Sequence, residues 1–182
     1  MAPRHGWRWA AALLAGAALS ADGSINAAGS SMVATFTQQH VPVDAPFRVF
    51  SGTIGYDAAH PEATQAALRV DVGSLELGDA DASAELRKPA WFDYARYPNA
   101  TFRSASVRRA ADGRLEVTGT LEIKGRAQPI TVAVSVQSNG ATGAFDGSFE
   151  LSRKAFGIGD ATWDSVLDDR VRVRFHLQAT GG

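Results

Sequence analysis

No cysteine occurs anywhere in the 182 residues, so neither a disulfide framework nor a thiolate metal site is open to this chain. Histidine is scarce as well. His5, His40, His60 and His176 are the full set, and no two stand three or four apart, so a metal site would have to be assembled from distant segments. No basic tract stands out, and a formal net charge of −1 leaves nothing fit to neutralise a run of phosphates, which argues against nucleic acid as a partner. The Gly-x-Ser-x-Gly elbow of acyl-transfer enzymes is missing, and Gly29-Ser30-Ser31 and Gly147-Ser148 lack the base and orienting acid a nucleophile needs. No repeat of 20–50 residues and no linker divides the chain, so one domain is expected.

Long apolar runs are also absent. The longest, Trp9 to Leu19, falls well short of the roughly 20 residues that cross a bilayer. It follows Arg4 and Arg8 and leads to the small residues Ala18, Ser20 and Ala21, the pattern of a secretory signal. Residues 1–21 are therefore expected to be removed, leaving 22–182 as an exported domain with a net charge of −3 and no cysteine to carry a lipoprotein anchor.

What is present in quantity is alternation. Leu115, Val117, Leu121 and Ile123 fall on odd positions between Glu116, Thr118, Thr120 and Glu122, and Ile130, Val132, Val134 and Val136 alternate with Thr131, Ala133 and Ser135. A period of two puts the apolar residues on one face of each strand. The two runs form a hairpin joined through residues 125–129, flanked by the turn signals Asp112-Gly113 and Asn139-Gly140. Further strands are predicted over 30–38, 47–57, around 68–72 and over 100–108. Two more carry Gly143, Phe145, Gly147, Phe149 and Leu151 on one face, then Val171, Val173, Phe175 and Leu177 opposite Arg170, Arg172, Arg174 and His176. Residues 40–46 read as a loop, because Pro42 and Pro46 cannot join a central ladder. The one convincing helix is 79–88, capped by Asp79 or Asp81 and stopped by Pro89. Eight antiparallel strands, each with one apolar face, stack as a sandwich or close as a barrel.

The polar candidates have plainer roles as alternatives. Asp160, Asp164, Asp168 and Asp169 form the one acidic cluster, more simply a solvated loop than a catalytic or calcium site. The arginine stripe of the last strand is more simply its wet face than a lipid-headgroup site. Phe36, Phe50, Phe92, Phe102, Phe149, Phe156 and Trp163 either line a ligand tunnel or fill the core.

Several short motifs in order carry a family likeness: Ser31, Phe36 and His40; Phe47 to Gly52; Trp91-Phe92-Asp93 and Tyr97 to Phe102; Leu121 to Gly125 with Pro129; and Arg153 with Phe156-Gly157-Ile158. Together, over residues 31–177, they resemble the YceI-like family of polyisoprenoid-binding proteins. The resemblance implies an all-β, lipocalin-like extended barrel of eight antiparallel strands with one short helix covering an end. Its apolar interior would hold the tail of a polyprenyl lipid or quinone in the bacterial periplasm, with the seven aromatics above as ligand-binding residues. It implies no catalysis, metal or cofactor beyond that lipid. A membrane redox protein of the cytochrome b561 type is the expected partner, and a homodimer is left open. The alternatives are a barrel enzyme acting on a hydrophobic substrate and a ligand-free interaction module. If contacts are mainly apolar, micromolar binding requires a tail of about twenty carbons, since each buried methylene returns roughly 0.8 kcal/mol against the cost of association.

Overall fold

The computed structural model describes residues 23–139 and 142–180. The expected signal at 1–21 and Gly140 of the expected Asn139-Gly140 turn lie outside the described residues. The described strands are β1 (Gly23–Ser24), β2 (Ser31–Gln38), β3 (Val41–Phe47), β4 (Phe50–Gly55), β5 (Gln65–Asp71), β6 (Asn99–Arg109), β7 (Leu115–Ile123), β8 (Arg126–Ser138), β9 (Thr142–Ser152) and β10 (Leu167–Thr180). They form one antiparallel sheet in the order β1-β4-β5-β6-β7-β8-β9-β10-β2-β3. The sheet curls into a lipocalin-like half-barrel whose seam is tied by the chain itself. β1 pairs with β4 on one side and, through an Ile25–Ala179 bridge, meets β10 on the other. Phe47 of β3 bridges Leu75, and the Glu76 N–H donates to the Pro46 carbonyl at 3.0 Å.

The alternating faces fall as the sequence predicts. Leu115, Val117, Leu121 and Ile123 of β7 and Val132 and Val134 of β8 are all buried, and Val117 sits opposite Val132. A slip of one residue would expose this entire set, at about 1.5–3 kcal/mol per large side chain, so the register is fixed by burial.

Ten strands replace the expected eight, for two reasons. β1 has only two residues and carries no periodicity to read. β3 occupies the segment predicted as a loop, because its prolines fit a sheet edge. Gln39 and His40, with φ of 49° and 67°, make a two-residue hairpin turn, and pairing runs from Gln38 and Val41 to Met32 and Phe47. In that register Pro42, Asp44 and Pro46 point their backbone away from β2, so two of three outward positions offer no N–H. The edge is thereby closed to another strand.

The β7–β8 connection is likewise shorter than predicted. Lys124 and Gly125, with φ of 51° and 70°, form the turn and Arg126 already pairs with Ile123. Pro129 lies inside β8, in the half that β9 leaves unpaired, since β8–β9 pairing begins only at Ala133. A missing N–H there costs no ladder bond.

Gly119 and Gly147, within the sheet, each sit beneath an aromatic ring. A Cβ at Gly119 would stand 2.5 Å from the Phe102 ring and 2.3 Å from the Arg103 carbonyl, and one at Gly147 would meet the Phe175 ring at 2.5 Å. Because the Arg103 carbonyl is backbone, Gly119→Ala is expected to cost about 1–3 kcal/mol by overpacking. Urea unfolding would show a lower midpoint at unchanged slope; an unchanged midpoint would mean that the sheet widens to take the methyl.

Candidate functional site

Inside the curled sheet the inward faces do not meet. Side chains of the nine strands β2 to β10 enclose an apolar lumen with two lobes, of about 330 Å³ and about 120 Å³. Met32, Val70, Ala100, Leu121 and Phe149 line both, so the two lobes are neighbours that meet at these five residues. The smaller lobe ends among Ile54, Leu115, Val134, Phe145 and Leu177.

The larger lobe is roofed by two connecting segments. The first holds α1 (Ala80–Glu85), shorter than the predicted helix, with the Asp79 carboxylate accepting the Ala82 N–H at 2.8 Å as its cap. Ala82, Glu85 and Leu86 face the lobe, followed by Trp91 and Phe92. The second runs from Arg153 to Leu167 and supplies Ile158 and Trp163. The Trp91 and Trp163 rings lie 5.0 Å apart between centroids, tilted by 57°, so the two segments meet through aromatic contact.

Buried polar groups fasten this roof. Arg153 is only 4% exposed, and its guanidinium donates to the carbonyls of Asp168 (3.0 Å), Ile158 (3.1 Å) and Leu167 (3.0 Å) and to the Asp164 carboxylate (2.8 Å). Lys124, at the β7–β8 turn, donates to Pro89 of one segment (2.8 Å) and Gly157 of the other (2.7 Å), and burial pulls its pKa below the usual lysine value. The Gly159 N–H adds a bond to the Ala90 carbonyl at 2.9 Å. Hydrogen bonds from Lys154 and then Arg153 hold the Asp164 carboxyl below its ordinary pKa. A depressed folded-state pKa stabilises the fold above the unfolded value and loses that contribution as pH falls through the folded one. Acidification below the usual aspartate range is therefore expected to loosen the roof. Emission from Trp91 and Trp163 would report the transition, and Asp164→Asn would flatten it if Asp164 is the group responsible.

Of the aromatics singled out from the sequence, Phe36, Phe92, Phe149 and Trp163 line the larger lobe, and Phe102 and Phe149 the smaller. Phe50 and Phe156 line neither. Phe156, at 2% exposure, is packed in the turn that follows Arg153, and Phe50 is a core residue of β4. Sequence reading missed Leu75, Leu77 and Leu86, which lie in short stretches where no strand pattern marks an inward face, and Leu167, which an irregularity of register before Val171 sets apart from the alternation of β10.

Of the acidic cluster, Asp168 lines the larger lobe, while the pairs made by His60 and His176 and the arginine stripe stand apart from the lumen. His60 meets Asp57 at 3.0 Å, and His176 meets Asp146 at 2.7 Å across β9 and β10. Among the described residues no three acids or histidines gather as a metal site. Arg170 and Arg172 share Glu150, and Arg174 pairs with Asp44 at 2.7 Å, so that stripe is a charge-paired outer face.

Comparison with known proteins places this geometry among relatives. Burkholderia cenocepacia BcnA has a similar structure, with a TM-score of 0.82 and 38% identity, covering 86% of this chain and 99% of that one. A polyisoprenoid binding domain from Saccharophagus degradans, implicated in plant cell wall breakdown, shares the fold with a TM-score of 0.71 and 20% identity, over 87% of this chain and 98% of that one. Among curated sequences, a UPF0312 protein of Azotobacter vinelandii is 29% identical over 157 residues, 81% of this chain and 82% of the relative. Protein YceI of Escherichia coli O157:H7 is 30% identical over 129 residues, 69% of this chain and 67% of the relative. The YceI-like domain family matches residues 24–179, essentially the whole described sheet, and the chain belongs to that family.

Proposed function

We propose that this protein carries an isoprenoid lipid in the bacterial envelope, its tail buried in the two-lobed lumen and its head at the opening of the larger lobe. The observation that carries the reading is the lumen itself. It is apolar, roofed by segments separate from the sheet, and its larger lobe exceeds the lower end of ligand pockets, about 300 Å³. The Saccharophagus degradans relative, described as a polyisoprenoid binding domain, supports the choice of ligand. Phe36, Phe92, Phe102, Phe149 and Trp163 would contact the tail. Exchange with a membrane redox protein of the cytochrome b561 type, and a periplasmic location, belong to the same proposal and rest on the family resemblance.

A barrel enzyme is the weaker reading, because no serine, histidine or tyrosine lines either lobe among the described residues. Thr64, one of two threonines in the smaller lobe, donates its hydroxyl to the Pro61 carbonyl at 2.6 Å. The test is organic extraction of protein purified from native envelopes, followed by mass spectrometry. A stoichiometric isoprenoid is expected; protein that is reproducibly lipid-free would overturn the proposal.

A further inference from the structure

The opening of the larger lobe carries information about the head of the ligand. Its polar lining includes Gln38, Glu85, Arg153 and Asp168, with the Trp91 indole N–H buried and unpartnered beside them, and Gln38 and Asp168 are solvent-exposed, which places them at the entrance. The single cation in this set is unavailable. Arg153 is buried, and its guanidinium is held by three carbonyls and Asp164.

The cations of the two roofing segments are engaged too. Lys88 pairs with Glu85, and Lys154 pairs with Asp164 at 2.8 Å. Arg87 donates to the Gly73 carbonyl and lies 4.7 Å over the Tyr94 ring, while Arg96 pairs with Asp93 and stacks on Tyr97. Lys124 is closed between two carbonyls. The Asp168 carboxylate, by contrast, has no partner among the described residues. Residues 72–98 and 153–169 together hold nine acidic side chains against five basic ones. No helix of eight or more residues aims its N-terminus here, since α1 has only six.

From this arrangement we infer that the site takes isoprenoids whose head bears no negative charge, and discriminates against phosphate and diphosphate heads. The inference rests on the reading of the lumen as a lipid site and narrows it to a ligand class. A diphosphate at this entrance would meet carboxylates, while each lysine and arginine of the two roofing segments already has a partner. Anion recognition by proteins instead relies on arginine forks, lysines or rows of backbone N–H groups. An alcohol, phenol or quinone head meets no such penalty, since the Gln38 amide offers both a donor and an acceptor and Asp168 accepts.

The experiment uses two probes with one tail, geranylgeraniol and geranylgeranyl diphosphate, titrated into lipid-stripped mature protein with tryptophan emission as readout. The alcohol is expected to bind at least about thirtyfold tighter at low salt, with the gap narrowing as salt rises. The double variant Glu85→Gln with Asp168→Asn is expected to narrow the ratio of the two affinities, the diphosphate gaining more than the alcohol. Equal affinity of the two probes, or preference for the diphosphate, overturns the inference while leaving the lipid-carrier reading intact. Failure of both probes to bind overturns the two together.

Discussion

Arg153→Met is expected to lower the melting temperature by roughly 6–12 °C. The guanidinium of Arg153 satisfies the carbonyls of Ile158, Leu167 and Asp168 in a part of the chain with no sheet ladder to do so. Methionine fills the volume and removes the donors. Each carbonyl left dry costs about 1–3 kcal/mol, and partial rehydration brings the sum to about 3 kcal/mol, or 2–4 °C per kcal/mol for a chain of this size. Asp164 is not stranded, because it is 38% exposed and keeps Lys154. The loss is thus one of hydrogen bonding more than of charge. Arg153→Lys should recover little of it, since an ammonium cannot reach four acceptors spread around a planar fork. Circular dichroism would give the melting point, and a fall of less than about 2 °C for Arg153→Met would show that water replaces the guanidinium without penalty.

The importance of Arg153 was not legible from composition or periodicity, and the reason is physical. Three of its four acceptors are backbone carbonyls, which leave no mark on side-chain identity. The inward faces of β7 to β10 were legible, because one buried side forces a period of two on the residues themselves. β3 was not, because the same prolines that exclude a central strand are suited to an edge, and the sequence does not say which neighbour is missing. Phe102 and Phe156 look alike as isolated aromatics in the sequence. Only the curl of the sheet separates Phe102, which faces the lumen, from Phe156, which closes a turn at the roof. The lumen itself follows from a sum over nine strands that no local pattern carries, and the family likeness was the clearest signal for it.

Ala100→Phe is expected to abolish most binding of a twenty-carbon isoprenoid while leaving the fold intact. Ala100 stands opposite Val70 across β5 and β6, and both line the two lobes where these meet. A phenyl ring there projects into space already empty, so the usual overpacking penalty of about 1–3 kcal/mol is largely avoided, and the melting temperature should move by only a few degrees. The ring closes the passage to the smaller lobe. At roughly 30 Å³ per methylene-sized group, the 120 Å³ beyond it holds about four such groups, each worth about 0.8 kcal/mol when buried. Their loss amounts to about 3 kcal/mol, or roughly a hundredfold in affinity. Geraniol, with half the tail, fits the larger lobe alone and should keep its affinity within about threefold, which separates a blocked passage from a damaged fold. If Ala100→Phe melts normally and still binds geranylgeraniol as the parent does, the tail cannot be threading the waist. The lipid would then have to lie elsewhere, along the outside of the sheet or under the roof alone.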